Sequence, residues 1–573
     1  MTTEIWDKTV DLLIVGSGAG SFPAALLARD HGLEPLIVEK CDKIGGTTAI
    51  SGGVLWIPGN HLMARAGIAD SHERAREYLD AAIWHDGPAT TPARREAFLR
   101  HGPEAIEYLE RKGMKLKRPK LWPDYHSDLP GAEQTSRSLL AELFDLNELG
   151  PWKTRLALSK MPPVRFTMDE LSSLILVKRL WSSRLAALRL ALRMLRMKFT
   201  GQDLRGGGAA WQGRMLQIAV RENIPIWTET PVIRLLTDQG RVIGAEATHQ
   251  GRTMRIHARR GVLLNSGGFA RNAAMRAQYG RQPVYPQTTN AGPGDTGEMI
   301  EAGISLGAAV DCMDEALWGV SSLTPGEQLP PGATAADGTP LPFGHHFDIS
   351  LPHAIMVDQN GMRFTNEAAS YMEVGQNLYR RHAETGKGIP AWAIIESRHR
   401  ERYPWGSAAG KTPKNWLSSG YMKKAATLDA LARECGIDPI GLRATVNRFN
   451  GFCRDGIDAD FARGAKAFDN SHGDPTVTPN PNLGAIENPP FYAVAIYPGD
   501  VSTWGGLVTD EHARVLQPGG TPIKGLYATG TATASLCGRT YPGAGASIGP
   551  ALTFGYIAAL HIVADQELSG ESG

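Results

Sequence analysis

Near the C-terminus, Thr540-Tyr541-Pro542-Gly543-Ala544-Gly545-Ala546-Ser547-Ile548-Gly549 sets a phenol beside a glycine-rich turn, and the turn opens into an apolar, helix-like segment from Pro550 to Ile562. A hydroxyl and bare backbone N–H groups arranged this way can converge on one small anion, and such a pair polarises a carbonyl. An ordinary tight turn with a packed tyrosine has the same residues. The chemistry therefore depends on what the rest of the chain places around it.

The N-terminal end carries a second pattern. Val10-Asp11-Leu12-Leu13-Ile14-Val15 has the apolar run of a short buried strand, Gly16-Ser17-Gly18-Ala19-Gly20-Ser21 follows, and an Ala- and Leu-rich helix is predicted to run to about Asp30. A second strand, Pro35-Leu36-Ile37-Val38, ends at Glu39. In this βαβ layout glycines let backbone N–H groups and a helix N-terminus approach a pyrophosphate, and an acid about 20 residues on accepts from a ribose hydroxyl. Ser21 stands where the third glycine of G-x-G-x-x-G is usual, which predicts a helix slightly further from the strand. Gly45-Gly46-Thr47-Thr48 and Ser51-Gly52-Gly53 then form a second glycine-rich run suited to an extended cofactor. A nicotinamide-nucleotide domain would continue with further βαβ units here.

Elements of this kind need a large scaffold, and 573 residues correspond to about three or four domain-sized units. With 60 Lys plus Arg against 59 Asp plus Glu, no global basic field argues for nucleic acid. The five cysteines, Cys41, Cys312, Cys435, Cys453 and Cys537, are widely spaced and form no C-x-x-C pair, so reduced thiols, a cytoplasmic setting and no structural metal are expected. Acids precede any apolar run at the N-terminus, and Gly16 interrupts the first one, so neither a signal peptide nor a membrane span is predicted.

Further segments add to the pattern. Val262-Leu263-Leu264-Asn265-Ser266-Gly267-Gly268-Phe269 is similar to a strand ending in Ala-Thr-Gly-Gly-Phe, with Asn265 and Ser266 as departures, and Gly525-Leu526-Tyr527-Ala528-Thr529-Gly530 has the form of a last strand leading to a flavin ring. Ser51 to Pro58, Trp122-Pro123-Asp124-Tyr125-His126 and Arg363-Phe364-Thr365-Asn366-Glu367-Ala368-Ala369-Ser370-Tyr371 are three more, besides Thr540 to Gly545 and Ile548 to Gly555. Together they resemble the fumarate reductase and succinate dehydrogenase flavoprotein superfamily, and within it the bacterial 3-ketosteroid Δ1-dehydrogenases. The resemblance covers most of the chain outside roughly 145 to 205.

That resemblance implies an α/β fold: a Rossmann-like domain for non-covalent FAD, with an α+β catalytic domain inserted. It implies trans-elimination of hydrogen from C1 and C2 of ring A. Tyr541 hydroxyl and Gly545 N–H would hold the C3 carbonyl oxygen, Tyr371 would be the base, Tyr125 its helper, and FAD N5 the hydride acceptor. A phenol near pKa 10 costs about 4 kcal/mol to ionise at neutral pH, so Tyr125 is expected to donate to Tyr371 and favour its charged form. Adjacent His126 is a rival helper. Gly545 is expected to be glycine because a side chain would crowd the bound oxygen.

FAD contacts are implied at Gly16, Ser17, Gly18, Ala19, Gly20 and Ser21 for the pyrophosphate, and at Glu39, beside Lys40, for the ribose. Gly45, Gly46, Thr47, Thr48, Ser51, Gly52 and Gly53 would follow the flavin side, and Val232 the adenine edge. Ser266 and Gly267 follow the later strand, and Gly530, Ser547 and Ile548 would meet the pyrimidine end. Covalent attachment is not expected, with Cys537 the residue that leaves it open.

Residues 1–320 are expected to form the first part of the FAD domain, 321–500 the inserted domain and 501–573 the return, with Thr324 to Gly344 as linker or active-site loop. Leu428 to Phe449 has helical periodicity. From Leu171 to Phe199 there are seven basic residues and no acid, and Leu185, Leu188, Leu192, Leu195 and Phe199 share one helical face beside Arg189, Arg193 and Arg196. This predicts a basic amphipathic helix at an anionic membrane surface, on the inner face of the cell membrane, or against its own domain or a second subunit. An external electron acceptor such as a quinone is expected, and oligomerisation is left open. Alternatives are a ketosteroid 4-dehydrogenase, a fumarate-reductase-like enzyme using Arg539, and a non-enzymatic flavin-binding protein at a membrane surface.

Overall fold

The computed structural model describes residues 6–159, 165–332, 334, 340–409 and 411–570, with side chains of 409 and 565–570 excluded. Part of the expected 324–344 loop (333 and 335–339) and the first five residues of the N-terminal reading lie outside these. The N-terminal pattern forms β1 (Lys8–Val15), α1 (Ser21–Asp30) and β2 (Pro35–Val38). Their apolar runs are buried on both faces, as in a parallel sheet covered by helices.

The main sheet has eight strands. Its path runs Arg514–Leu516, Pro522–Ala528, Arg252–Leu264, β1, β2, Ile226–Trp227, with Arg241–His249 and Val232–Asp238 branching from Arg252–Leu264. The pairings from Pro522–Ala528 to Ile226–Trp227 are parallel. Val15 is in register with both Leu264 and Val38, and Leu264 with Ala528. Gly16, Asn265, Thr529 and Glu39 therefore leave the sheet at one common edge, the carboxyl edge where open α/β sheets bind ligands.

A second, antiparallel sheet of six strands runs Phe343–Gly344, Ala316–Ser322, Phe491–Thr503, Ala391–Glu396, Ala354–Val357, with Met422–Ala425 also paired to Phe491–Thr503. The helix after the tyrosine turn runs Ile548–Gly570 and crosses α1 closely: a Cβ at Gly20 would lie 2.4 Å from Ala551 O, and one at Gly555 2.2 Å from Gly20 O.

Two predicted helices are broken. The 428–449 periodicity resolves into Leu428–Cys435 and Pro439–Asp455, stopped by Gly436 in a left-handed conformation and restarted by Pro439. The 171–199 segment resolves into Met168–Ile175 and Trp181–Thr200. Between them Lys178 donates to Glu401 O and Arg179 to Asp474, which fastens the turn to the rest of the chain. The apolar stripe on Trp181–Thr200 faces outward: Leu188 is 55%, Leu192 57% and Trp181 and Phe199 each 81% exposed. Arg193 is paired with Glu170 at 2.6 Å, whereas Arg189 and Arg196 are exposed. Among the described residues no helix is long and apolar enough to cross a membrane.

Candidate active site

Three tyrosines from distant parts of the chain meet. Tyr371 opens the helix Tyr371–Thr385, Tyr541 lies in the glycine turn, and Tyr125 is in the loop before strand Ser138–Ala141. Ring centroids are 5.8 Å apart for Tyr125–Tyr371, 5.5 Å for Tyr125–Tyr541 and 5.5 Å for Tyr371–Tyr541. Tyr125 is held through its backbone N–H, which donates to Pro542 O at 2.9 Å. Its neighbour Asp124 accepts from Trp56 Nε1 at 2.8 Å and from Arg137 at 2.6 Å. The Gly545 N–H donates to the Tyr541 hydroxyl at 3.3 Å, and Ser547 Oγ is 3.2 Å from the same oxygen.

Glycine at 545 has a reason within the fold itself. Gly545 has φ +97°, and a Cβ there would lie 2.5 Å from Val54 O. The strand Val54–Trp56 already excludes a side chain there, and Trp56 N–H in turn donates to Gly545 O at 3.1 Å. Gly543 is similarly confined, with its Cβ direction 2.3 Å from Trp56 Nε1.

Tyr125 and Tyr541 are buried and Tyr371 half-buried, and desolvation is the main cause that raises each pKa. Tyr371 is pushed well above the ordinary phenol value, with Tyr125 and Tyr541 adding to the rise. Burial is thus the main cost that a phenolate at Tyr371 must meet. Tyr541 is raised less, because Ser547, Tyr371 and the Gly545 N–H favour its charged form. His126, pushed down to about 4 by burial and then by Lys466, is neutral at pH 7, and its Nε2 is 3.0 Å from Thr540 Oγ1. Arg539 is bound to Asp314 at 2.7 Å and Glu315 at 2.9 Å, which neutralises the cation a dicarboxylate would need.

The predicted cofactor residues lie along the sheet's carboxyl edge. Ser17 joins three of them, since its hydroxyl donates to Glu39 Oε2 at 2.6 Å and accepts from Gly45 N at 2.7 Å. Ser21 Oγ donates to Gly16 O at 2.8 Å, so this hydroxyl turns back to the loop rather than outward. Gly16 (φ +97°) and Gly53 (φ +63°) are closed by backbone, their Cβ directions ending 2.3 Å from Asn265 O and 2.4 Å from Gly207 C. Gly46, by contrast, faces open space. Gly18, Ala19, Gly20, Thr48, Ser51 and Gly52 flank these turns, while Gly267 approaches Asp295. Thr47 Oγ1 accepts from Gly292 N at 2.9 Å, and Lys40 is paired with Glu298 at 2.9 Å. Val232 begins a strand just after Thr230, whose N–H donates to Glu39 O at 2.8 Å. Ser266 follows Asn265, and Gly530 opens a short turn. Ser547 and Ile548 start the last long helix, whose N-terminus favours negative charge.

Three residues the sequence reading missed fit the same group. Gln212 Oε1, Asp295 Oδ1 and Trp504 Nε1 are buried without a hydrogen-bond partner among the described residues. Burial raises Asp295 to about 6, and its other oxygen accepts from Ser502 at 2.8 Å. Trp504 packs 5.4 Å from Tyr541 and lines a cavity with Gly530 and Ser547. Unsatisfied buried donors and acceptors beside a glycine cradle fit a large polar cofactor with an aromatic ring system. Asp295 had a legible signal in its own turn, Gly292-Pro-Gly-Asp-Thr-Gly297; Gln212 and Trp504 had none. Cys537 is buried and pushed up to about 12, which leaves it a poor nucleophile for flavin attachment.

The FAD binding domain family matches residues 11–548 of the chain. The 3-oxosteroid 1-dehydrogenase of Mycolicibacterium smegmatis is 38% identical over 573 residues, covering 97% of both chains. A 4-oxocyclohex-2-ene-1-carboxylate 5-dehydrogenase of Sinomonas cyclohexanicum is 34% identical over 96% of this chain and 93% of its own. Among solved structures, the 3-ketosteroid delta1-dehydrogenase from Sterolibacterium denitrificans in complex with 1,4-androstadiene-3,17-dione superposes with a TM-score of 0.89 at 36% identity, over 97% of this chain and 100% of that one.

Proposed function

Because the chain belongs to the FAD binding domain family, and within it to the 3-oxosteroid 1-dehydrogenases, we propose that it desaturates C1–C2 of ring A in 3-ketosteroids during steroid degradation. FAD is its cofactor and, when bound, supplies the hydride acceptor. The residues named at the sheet edge would hold it, Glu39 at the ribose and the Gly16–Ser21 turn at the pyrophosphate. The observation that carries the reading is the convergence of Tyr125, Tyr371 and Tyr541 beside the Gly545 N–H.

In this mechanism Tyr541 hydroxyl and Gly545 N–H donate to the C3 oxygen and stabilise the charge that develops there as the C2–H bond breaks. The Tyr371 oxygen takes that proton. Tyr125, pinned by Asp124 and Pro542, donates to the Tyr371 oxygen while it is charged. The clamp lowers the acidity gap from the substrate side, which a base this hard to ionise requires. We assign residues 1–320 and 501–573 to the cofactor half, with the 150–205 insertion, and 321–500 to the substrate half. An external acceptor of the quinone class would then reoxidise the enzyme.

The test is anaerobic. A saturated 3-ketosteroid should bleach the yellow protein and give a C1–C2 double bond. A C4–C5 double bond would support the 4-dehydrogenase reading instead, and bleaching by succinate alone the fumarate-reductase one.

The outward apolar stripe of Trp181–Thr200 favours a second reading, about location. With Arg184, Arg189 and Arg196 alongside, this helix suits an anionic lipid surface, where its apolar side chains enter the headgroup boundary. An apolar steroid would reach the enzyme there, at the cytoplasmic face of the membrane.

A further inference from the structure

Away from the tyrosines, His85, Asp311 and Cys312 bring an imidazole nitrogen, a carboxylate oxygen and a sulfur within 4.8 Å of one another. We propose that they form a binding site for a zinc-class divalent cation, with water as the fourth ligand. The three come from two elements. Asp311 ends the short strand Val310–Asp311 and Cys312 follows it, whereas His85 lies in the turn after helix His72–Ala82.

His85 Nε2 lies 3.7 Å from Asp311 Oδ1, is buried, and has no hydrogen-bond partner among the described residues. A buried ring nitrogen left that way lacks the partner burial normally demands, and a metal supplies it. The surrounding backbone is arranged for the approach. Asp311 Oδ1 accepts from Cys312 N at 2.7 Å, orienting the carboxylate, and Cys312 is held at φ +51°, which few non-glycine residues adopt. A Cβ at Gly87 would lie 2.7 Å from both Asp311 Oδ2 and His85 Nε2, so only glycine leaves the space clear. The turn is fixed independently by Thr90, whose hydroxyl donates to His85 O at 2.9 Å.

One thiolate, one imidazole and one carboxylate with an open fourth position is a donor set suited to Zn²⁺, whose ligand bonds of about 2.0–2.3 Å would require the three atoms to close by about 1 Å. On binding, the Cys312 thiol gives its proton to solvent and the sulfur becomes the ligand. Gly538 packs on this histidine, its Cβ direction 3.2 Å from His85 Cβ, and leads into Arg539-Thr540-Tyr541. The cation would thus fasten the turn beneath the segment that carries Tyr541.

The experiment uses the FAD-loaded enzyme. After incubation with zinc sulfate and desalting, elemental analysis should find one zinc per chain. His85→Ala and Cys312→Ser should each weaken retention at least tenfold, while the control Cys435→Ser retains it. Cobalt loading should give visible bands beyond the flavin absorption that His85→Ala removes, a readout available even if Cys312→Ser folds poorly. Zinc retention no greater in the wild type than in His85→Ala, or cobalt bands unchanged in that variant, would overturn the assignment.

Discussion

The Asn265 carboxamide donates to the Ser21 hydroxyl at 2.7 Å across 244 positions of sequence. Both stand where other residues are expected, at the third glycine and in the strand before Gly267, and the hydrogen bond satisfies each with the other. Ser21 completes the chain by donating to Gly16 O. Asn265 also lies under Gly18 and Gly530, 3.1 Å and 2.8 Å from their Cβ directions. A hydroxyl in place of hydrogen is tolerated because a buried donor meets it.

Asn265→Ala should therefore weaken FAD binding about fivefold, the equivalent of about 1 kcal/mol for one buried hydrogen bond. Ser21→Gly should cost less in the Asn265→Ala background than alone. Reconstitution of the apoprotein, followed by flavin fluorescence, measures both, and strictly additive losses would mean that the pair is not coupled.

Gly545→Ala should lower turnover by about a hundredfold or more, the scale of losing one oxyanion donor. The methyl would press on Val54 O, so the turn and its N–H must move. Flavin absorbance should survive. The measurement is kcat at constant FAD content.

Tyr371→Phe should leave a yellow, folded protein with turnover down at least about a hundredfold. Because Tyr371 lies well above the usual phenol pKa, its phenolate fraction in the free wild-type enzyme grows tenfold per pH unit through the neutral range. Log kcat/KM against pH should accordingly rise with unit slope between about pH 6 and 9. A flat profile would remove Tyr371 as the base.

Acid should destabilise the fold in a defined window. Burial holds His126 and His346 down at about 4, against about 6.5 in the unfolded chain. Between those values the unfolded state binds more protons, so stability is complete above pH 6.5 and falls as pH drops toward 4. Each histidine contributes about 3 kcal/mol of the full loss. Urea midpoints at pH 7.5 and 5.0 should differ in that direction.

Replacing Arg184, Arg189 and Arg196 by Gln should leave activity on dissolved steroid intact and abolish sedimentation with phosphatidylserine vesicles. Arg193 is excluded because it is tied to Glu170. Unchanged sedimentation would return the helix to a role in packing or assembly.

Local patterns determined much of this protein. The strand, glycine turn, helix and acid from Val10 to Glu39 are short-range features, and β1, α1 and β2 form where apolar runs and turn residues predict them. The tyrosine turn was legible for the same reason, since its glycines and the helix after it are contiguous. The two broken helices were not, because their breaks depend on Gly436 adopting a left-handed conformation and on Arg179 finding Asp474.

Only the tertiary structure decided how distant residues meet. Register between Val15, Leu264 and Ala528 is set by strand pairing across the whole chain, and it brings Asn265 to Ser21. It also decided that Val54 closes the space a side chain at 545 would need, that Arg539 is neutralised by Asp314 and Glu315, and that burial raises Tyr371. Side-chain identity states what a group can donate, accept or ionise. Burial and the partner across the fold determine which of those it does, and neither has a counterpart in linear spacing.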